Sequence, residues 1–182
     1  SNGGDMSYLL ACEASDVFKA IAPVVGMILE SIYNTCTPEN PMPVFEIHGT
    51  QDYVTYWDGD INNEDGWGAY LDIPTMMNFW VTLNGLELYD SIDLEDSNTN
   101  DGSMVVFERY WSDSTVHEVW LYKVVGGGHS LLIILWILLR ISYENIYSIF
   151  HSSSHCISRT PHVSMYGTVF VKSSFRRESD SS

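Results

Sequence analysis

The chain has 182 residues, 45% of them hydrophobic and 13% aromatic, so most of it has the composition of one folded domain rather than of a disordered segment. Its 24 acidic and 8 basic side chains give a formal net charge of −16, which opposes binding to nucleic acid because the phosphate backbone is also negative. The longest unbroken apolar run, residues 131–139, is much shorter than the ~20 residues of a membrane-spanning helix, so no membrane partner is expected.

The predicted elements alternate between helix and strand. Apolar residues at helical spacing predict a first helix over residues 6–14, and a second periodic segment over residues 73–83 stops at an Asn-Gly pair. Short apolar runs predict four strands, over residues 20–25, 44–47, 104–110 and 119–125. This alternation predicts an α/β sheet covered by helices on both faces.

Two acidic segments, residues 58–66 and 90–101, are predicted as solvated loops. The first has some of the carboxylate spacing of a calcium loop. It lacks the turn glycine at the sixth position, which is Asn63, and the final glutamate at the twelfth, which is Ala69. No metal site is therefore expected in either segment.

The composition changes abruptly near residue 130. Residues 1–130 carry a net charge of −18, whereas residues 131–182 carry +2. Twelve of the 13 glycines precede residue 131, and 12 of the last 52 residues are serine. Two parts of one domain seldom differ this much. We therefore expect a domain over 1–130 followed by a non-homologous, poorly ordered tail over 131–182, with an ordinary basic subdomain as the alternative.

Three reactive side chains occur where an α/β sheet places its ligands, beyond the carboxyl ends of strands. Asp52 follows the strand predicted at 44–47, and His129 follows the strand at 119–125 across three glycines. Ser1 precedes the Gly-rich start of the first helix. The order Ser, Asp, His is the order of an α/β-hydrolase triad.

The residue types fit that chemistry. The Ser1 hydroxyl becomes a nucleophile when the His129 imidazole accepts its proton, and the Asp52 carboxylate orients the imidazole. The backbone N–H of Asn2 would donate to the developing oxyanion at the helix N-terminus. Each residue also has an ordinary role, as a chain terminus or linker remnant, a turn residue or a surface histidine.

Two other histidines of the first 130 residues are alternatives for the base, His48 and His117. His48 is predicted to be a structural histidine at the end of a strand. His117 is the second candidate, but it precedes the strand at 119–125 and would lie at the opposite edge of the sheet.

In combination, these residues resemble the polyhydroxybutyrate depolymerase-like esterases, which include feruloyl and acetylxylan esterases. The resemblance covers about the first 130 residues and is carried by four strings: Ser1-Asn2-Gly3-Gly4, Ala-Ile-Ala-Pro-Val-Val-Gly at 20–26, Ile47-His48-Gly49-Thr50 before Asp52, and Gly126-Gly127-Gly128-His129-Ser130.

The resemblance implies a secreted enzyme that cleaves carboxylic esters of plant cell-wall polysaccharides or polyesters. Ser1 is the implied nucleophile, Asp52 the triad acid and His129 the base, acting through an acyl-enzyme without metal or cofactor. It also implies a disulfide between Cys12 and Cys36; two buried thiols are the alternative.

The chain departs from the family at both ends of the matching region. The family's nucleophile lies in a G-x-S-x-G elbow, whereas here the sequence begins at the serine, and Leu131 follows where the family usually has Trp-Pro-Gly. We therefore expect a truncated α/β-hydrolase, the C-terminal half of the sheet from the nucleophile elbow onward. Without the other half and its oxyanion donor, turnover of p-nitrophenyl esters should be a trace at most.

The aromatic residues Tyr56, Trp57 and Trp67 follow the proposed acid and are predicted to form a wall for a feruloyl or other acyl group. Their alternative role is to fill the core. Two other functional classes remain open. One is a hydrolase that uses the Ser1 α-amine as base, and the other is a non-catalytic carbohydrate- or partner-binding module.

Overall fold

A computed structural model describes residues 2–96, 98–129, 162–164 and 168–172. Within these residues there are three helices and seven strands. In chain order they are α1 (Asn2–Glu13), β1 (Phe18–Ala22), α2 (Glu30–Tyr33), β2 (Val44–Gly49), α3 (Ile73–Leu83), β3 (Leu88–Asp93), β4 (Met104–Ser112), β5 (Thr115–Val125), β6 (His162–Ser164) and β7 (Thr168–Lys172).

All the strands belong to one mixed sheet in the order β3-β4-β5-β2-β1-β7-β6. The strands β1, β2 and β5 are parallel, with β2 in the middle. The strands β3, β4 and β5 form an antiparallel meander at one side. At the other side β7 pairs antiparallel with β1, and β6 with β7. The arrangement is therefore of the α/β type, with carboxyl ends of parallel strands meeting at one edge.

The two longer helices pack on the same face of the sheet. Tyr8 of α1 and Trp80 of α3 are fully buried and stack with ring centroids 6.0 Å apart. The opposite face carries a second buried cluster built around the aromatic rings of Phe45, Trp120 and Tyr122. The prediction of helices on both faces is wrong for the part of the chain described, because every helix found there contributes to the first cluster.

Helix α3 begins and ends where the sequence predicts, and its end groups explain why. The carboxylate of Asp72 accepts a hydrogen bond from the Thr75 N–H at 2.8 Å, which caps the first turn. Gly85 follows the helix with a φ of +65°, a conformation that ends helices at little cost for glycine. The buried side chains on its inner face are Ile73, Met76, Met77 and Trp80.

Three local predictions are corrected. The strand predicted over 20–25 ends at Ala22, because Pro23 has no N–H to give to the sheet. Part of the acidic segment predicted as a loop over 90–101 is strand β3, which is exposed on both sides and is held by its backbone pairing with β4. His117 does not precede the strand but lies inside β5, near its amino end.

The second predicted unit, 131–182, lies outside the described residues except for the short strands β6 and β7. Through β7 these strands extend the sheet at the edge formed by β1. In the described part of the chain, no helix is long and apolar enough to cross a membrane.

Candidate functional site

The loops that follow β2 and β5 lie side by side at the carboxyl edge of the sheet. The Thr50 N–H donates to the Val124 carbonyl at 2.9 Å, and the Gln51 N–H donates to the Gly127 carbonyl at 2.8 Å. Backbone hydrogen bonds thus join the two loops, and they fix the positions of the side chains that come next in each loop.

Glycines permit this close approach. A Cβ atom at Gly49 would collide with the carbonyl oxygen of Gly127, and the backbone cannot swing away as a side chain could. Gly126 has a φ of +77°, which residues with a side chain rarely adopt, and turns the chain at the end of β5. Backbone geometry therefore requires a glycine at 49 and at 126.

This packing brings Asp52 and His129 together. The Nδ1 atom of His129 lies 2.9 Å from Oδ1 and 2.8 Å from Oδ2 of Asp52. The carboxylate is completely buried, whereas the imidazole keeps 20% of its side-chain surface exposed. A carboxylate accepts hydrogen bonds, so Nδ1 carries the proton, and Nε2 of the neutral ring is left as a proton acceptor.

The turn after Asp52 holds its carboxylate in place. Oδ1 accepts hydrogen bonds from the N–H groups of Val54, at 2.8 Å, and Thr55, at 2.9 Å. Hydrogen bonds of this kind fix the rotamer of a buried carboxylate. The pair can therefore orient an imidazole and stabilise the cation that it becomes on accepting a proton.

Ser1, the predicted nucleophile, lies outside the described residues. Asn2 is the first residue of α1, where backbone N–H groups have no acceptor within the helix. The start of α1 is anchored to the loop after β1, because Asp5 Oδ1 accepts from the Met27 N–H at 2.9 Å. A Cβ at Gly4 would come within 2.6 Å of the Gly26 Cα, so these two backbones are in direct contact.

Behind Asp52 lies a buried polar group that the sequence did not reveal. Glu46 and His48 project from β2 and are both fully buried. His48 Nδ1 lies 2.9 Å from Glu46 Oε1, and Glu46 Oε2 accepts a hydrogen bond of 2.9 Å from the Tyr8 hydroxyl. Burial raises the pKa of Glu46, and burial together with the Glu46 carboxylate raises the pKa of Tyr8 well above its usual range.

The three aromatic residues predicted as a substrate wall lie in different environments. Trp57 packs on the buried cluster beneath the helices, with its ring 6.1 Å from that of His48. Tyr56 is half-buried, and a hydrogen bond to Asp65 raises its pKa to about 12. Trp67 is 70% exposed. Of the three, Trp67 therefore has the most surface open to a ligand.

Tyr53 is the aromatic residue that does adjoin the base. Its ring meets the His129 ring edge-on, with centroids 6.5 Å apart, and it is 73% exposed. Its position directly after Asp52 is the sequence signal that could have identified it.

The remaining predicted residues are placed as follows. Cys12, in the last turn of α1, and Cys36, after α2, are joined by a disulfide. His117 lies at the amino end of β5, the strand whose carboxyl end leads to His129, with Nδ1 2.7 Å from Thr115 Oγ1. Among the described residues, no group of three His, Cys, Asp or Glu side chains is arranged to hold a metal ion.

Comparison with known proteins gives one partial similarity. Feruloyl esterase B of Piromyces equi is 27% identical to the chain over 134 residues, which cover 71% of the chain and 24% of that protein. The chain thus spans about a quarter of the length of this relative. No family model matches the chain. The similarity is to an esterase, which agrees in kind with the chemistry available to an imidazole and carboxylate pair.

Proposed function

We propose that the chain carries the acid and base of a serine carboxylic-ester hydrolase related to the polyhydroxybutyrate depolymerase-like esterases. The observation that carries the proposal is the contact of 2.8 Å between His129 Nδ1 and buried Asp52 at the carboxyl edge of the sheet. The partial similarity to a feruloyl esterase supports the same class of reaction.

In the proposed reaction, His129 Nε2 accepts the proton of the Ser1 hydroxyl while Oγ attacks the ester carbonyl carbon. Asp52 stabilises the imidazolium, and the Asn2 N–H donates to the oxyanion. The tetrahedral intermediate collapses, the C–O bond to the alcohol breaks, and the alcohol leaves with the proton from His129. Water then attacks the acyl-enzyme by the same route and releases the acid and free Ser1.

The proposal assigns the described sheet to the part of an α/β-hydrolase that follows the nucleophile in the chain. We propose that the enzyme is secreted; the Cys12–Cys36 disulfide supports this, because disulfides persist in oxidising compartments.

The proposed substrates are esters of plant cell-wall polysaccharides, with polyesters as the other candidate. The position of Tyr53 favours a substrate with an aromatic acyl group, since an acyl chain bound next to His129 would pass over the exposed ring of Tyr53. Trp67 is also exposed and stays a proposed contact for a more distant part of the substrate.

A fluorophosphonate probe tests the proposal better than turnover, because one slow covalent event per molecule is enough to detect. We expect the probe to label Ser1, identified by peptide mass, and Ser1→Ala to abolish labelling. His129→Ala should slow labelling by about 10²–10⁴, the usual contribution of a general base. His117→Gln is the matched control, since it removes a histidine from the other end of β5 and should label at the rate of the unchanged chain.

Three outcomes would contradict the proposal. Labelling that survives Ser1→Ala would show that Ser1 is not the nucleophile. Labelling of Ser1 that is unaffected by both His129→Ala and Asp52→Asn would favour the Ser1 α-amine as base. A folded chain that takes up no label but binds polysaccharide would favour a non-catalytic binding module.

A further inference from the structure

We infer that His48 is a positioning residue for the proposed acid and base: it holds the Asp52 turn through a permanent hydrogen bond from its Nε2–H to the carbonyl of Thr55. The inference deepens the proposed function and rests on it for its catalytic meaning, but the hydrogen bond itself can be tested without any turnover. Glu46 and His48 are two ionisable side chains buried side by side on the central strand, and such burial is costly unless both are hydrogen-bonded.

The proton positions on His48 follow from its two neighbours. Nε2 lies 2.9 Å from the carbonyl oxygen of Thr55, which can only accept a hydrogen bond, so Nε2 must carry a proton. Nδ1 lies 2.9 Å from Glu46 Oε1, and one proton occupies that contact. The His48 and Glu46 side chains together therefore carry no net charge, whether Nδ1 or Oε1 holds that proton.

Glu46 accepts hydrogen bonds from two further groups besides its contact with His48. The Tyr8 hydroxyl donates to Oε2, and the Gly26 N–H donates to Oε1 at 3.2 Å. Tyr8 and Gly26 come from α1 and from the loop after β1, respectively. Through Tyr8, the hydrogen bonds of Glu46 therefore join the middle of α1 to the central strand.

The link from His48 to the proposed catalytic pair is short. The Thr55 residue whose carbonyl accepts from His48 also donates its own N–H to Asp52 Oδ1 at 2.9 Å. In addition, His48 Nε2 lies 3.7 Å from Asp52 Oδ2, and both side chains are completely buried. The aromatic ring that packs against His48 is that of Trp57, which carries no charge. Loss of the Nε2–H contact should therefore loosen the Asp52 turn and weaken the Asp52–His129 hydrogen bond.

Nitrogen NMR of the chain with labelled histidine side chains tests this directly. We expect His48 Nε2 to show the shift of a protonated nitrogen at every pH at which the chain stays folded. We expect the His129 Nδ1–H to give a far-downfield proton signal because it donates to buried Asp52. The His48 signals are assigned by their loss in variants of that residue, and His117→Gln identifies the signals of one of the four histidines other than His48 and His129.

Two variants separate the two contacts of His48. An Asn side chain places its amide where Nδ1 lies, so His48→Asn can still meet Glu46 but cannot reach Thr55. The longer Gln places its amide where Nε2 lies, so His48→Gln can still donate to Thr55. In His48→Asn we expect the His129 Nδ1–H to exchange with water about tenfold faster, as for the loss of one hydrogen bond. His48→Gln should keep an exchange rate close to that of the unchanged chain.

The outcomes distinguish the inference from the proposed function. A folded, unchanged chain whose His48 Nε2 loses its proton overturns the inference, as does an equal effect of the two substitutions on the His129 signal. If both variants fail to fold, the Nε2 measurement on the unchanged chain decides. If the unchanged chain has no downfield signal from His129, the proposed acid and base pair is wrong instead, whatever His48 does.

Discussion

Gly49 affects the position of the Asp52–His129 pair because it has no side chain. It ends β2 and lies directly against the backbone of Gly127, so that Asp52, three residues later, faces His129, two residues after Gly127. The space that a methyl group would need is occupied by a backbone carbonyl, which is part of the connection between the two loops.

For this reason we expect Gly49→Ala to lower the free energy of unfolding by about 1–3 kcal/mol, the usual cost of overpacking a rigid site. It should also remove the downfield His129 signal, because the loops must separate. Urea denaturation and proton NMR measure the two effects. Gly128→Ala is the matched control, since a Cβ there would meet its nearest atoms at 3.6–3.9 Å, an ordinary contact distance. An unchanged stability for Gly49→Ala would show that the two loops can move apart freely.

For single residues, the sequence predicts the contacts that follow from the order and direction of the strands. It does not predict the contacts that depend on where a side chain points. Asp52 and His129 are predictable neighbours because both follow parallel strands that end at one edge. Trp57 and Tyr53 are both aromatic residues close to Asp52, and spacing does not tell that the first turns into the core and the second to solvent. Glu46 gave no signal because its partners, Tyr8 and Gly26, are distant in sequence.

Among the elements, the β4–β5 hairpin carries a paired charge network on its surface. The guanidinium of Arg109 donates to Glu118 through two contacts, of 2.7 and 2.6 Å, and lies over the ring of Trp111. The Trp120 Nε1–H donates to the same carboxylate at 2.6 Å. Burial by itself would raise the pKa of Glu118, but the hydrogen bonds from Arg109 and Trp120 outweigh it and lower that pKa from 4.5.

The sign of this pKa change predicts a pH dependence of stability. A carboxylate whose pKa is lower in the folded state stabilises the fold above its ordinary pKa of 4.5, and the contribution disappears as pH falls through the lower folded value. We expect Glu118→Gln to lower stability at pH 7 by about 0.5–1 kcal/mol, as is typical of a half-exposed pair.

The difference between the variant and the unchanged chain should shrink as the pH is lowered below 4.5 in a series of urea denaturation curves. Glu39→Gln, which removes one exposed carboxylate elsewhere, controls for the change in net charge. A difference that stays constant down to the acid limit of folding would show that the charge of Glu118 is not the cause.

The elements that periodicity predicts are those with a buried face. Helix α3 matches its predicted range because four buried apolar residues recur at helical spacing. The strand β3 and the one-turn helix α2 have no buried residues, so hydropathy carries no signal for either. Their contacts, such as Tyr33 of α2 against the first cluster and Tyr89 of β3 against Tyr110, depend on neighbours that the local sequence does not specify.

For the whole molecule, the dominant feature is an excess of negative charge. Residues 1–130 carry a net charge of −18 and only three basic side chains. Arg109 and Lys123 are already paired with Glu118 and Glu108 on the meander. The other carboxylates therefore repel one another across the surface, and this repulsion opposes the compact state.

Because salt screens that repulsion, we expect the melting temperature to rise by about 3 °C between 10 mM and roughly 0.5 M sodium chloride. Differential scanning fluorimetry across a salt series measures it. A variant with the exposed residues Glu39, Asp58 and Glu87 changed to their amides should show a smaller rise. A melting temperature that falls with salt would mean that attractive pairs outweigh the repulsion.

The exposed strand β3 has a consequence for how copies of the chain meet. Among the strands that the structure describes, β3 lies at one end of the sheet, and its outer backbone groups are the ones with which a strand of another copy would pair in a fibril. The side chains of Asp90 and Asp93 would then be stacked against the same charges on the incoming strand. We expect their repulsion to oppose such pairing, so the acidity of this segment should disfavour aggregation through β3.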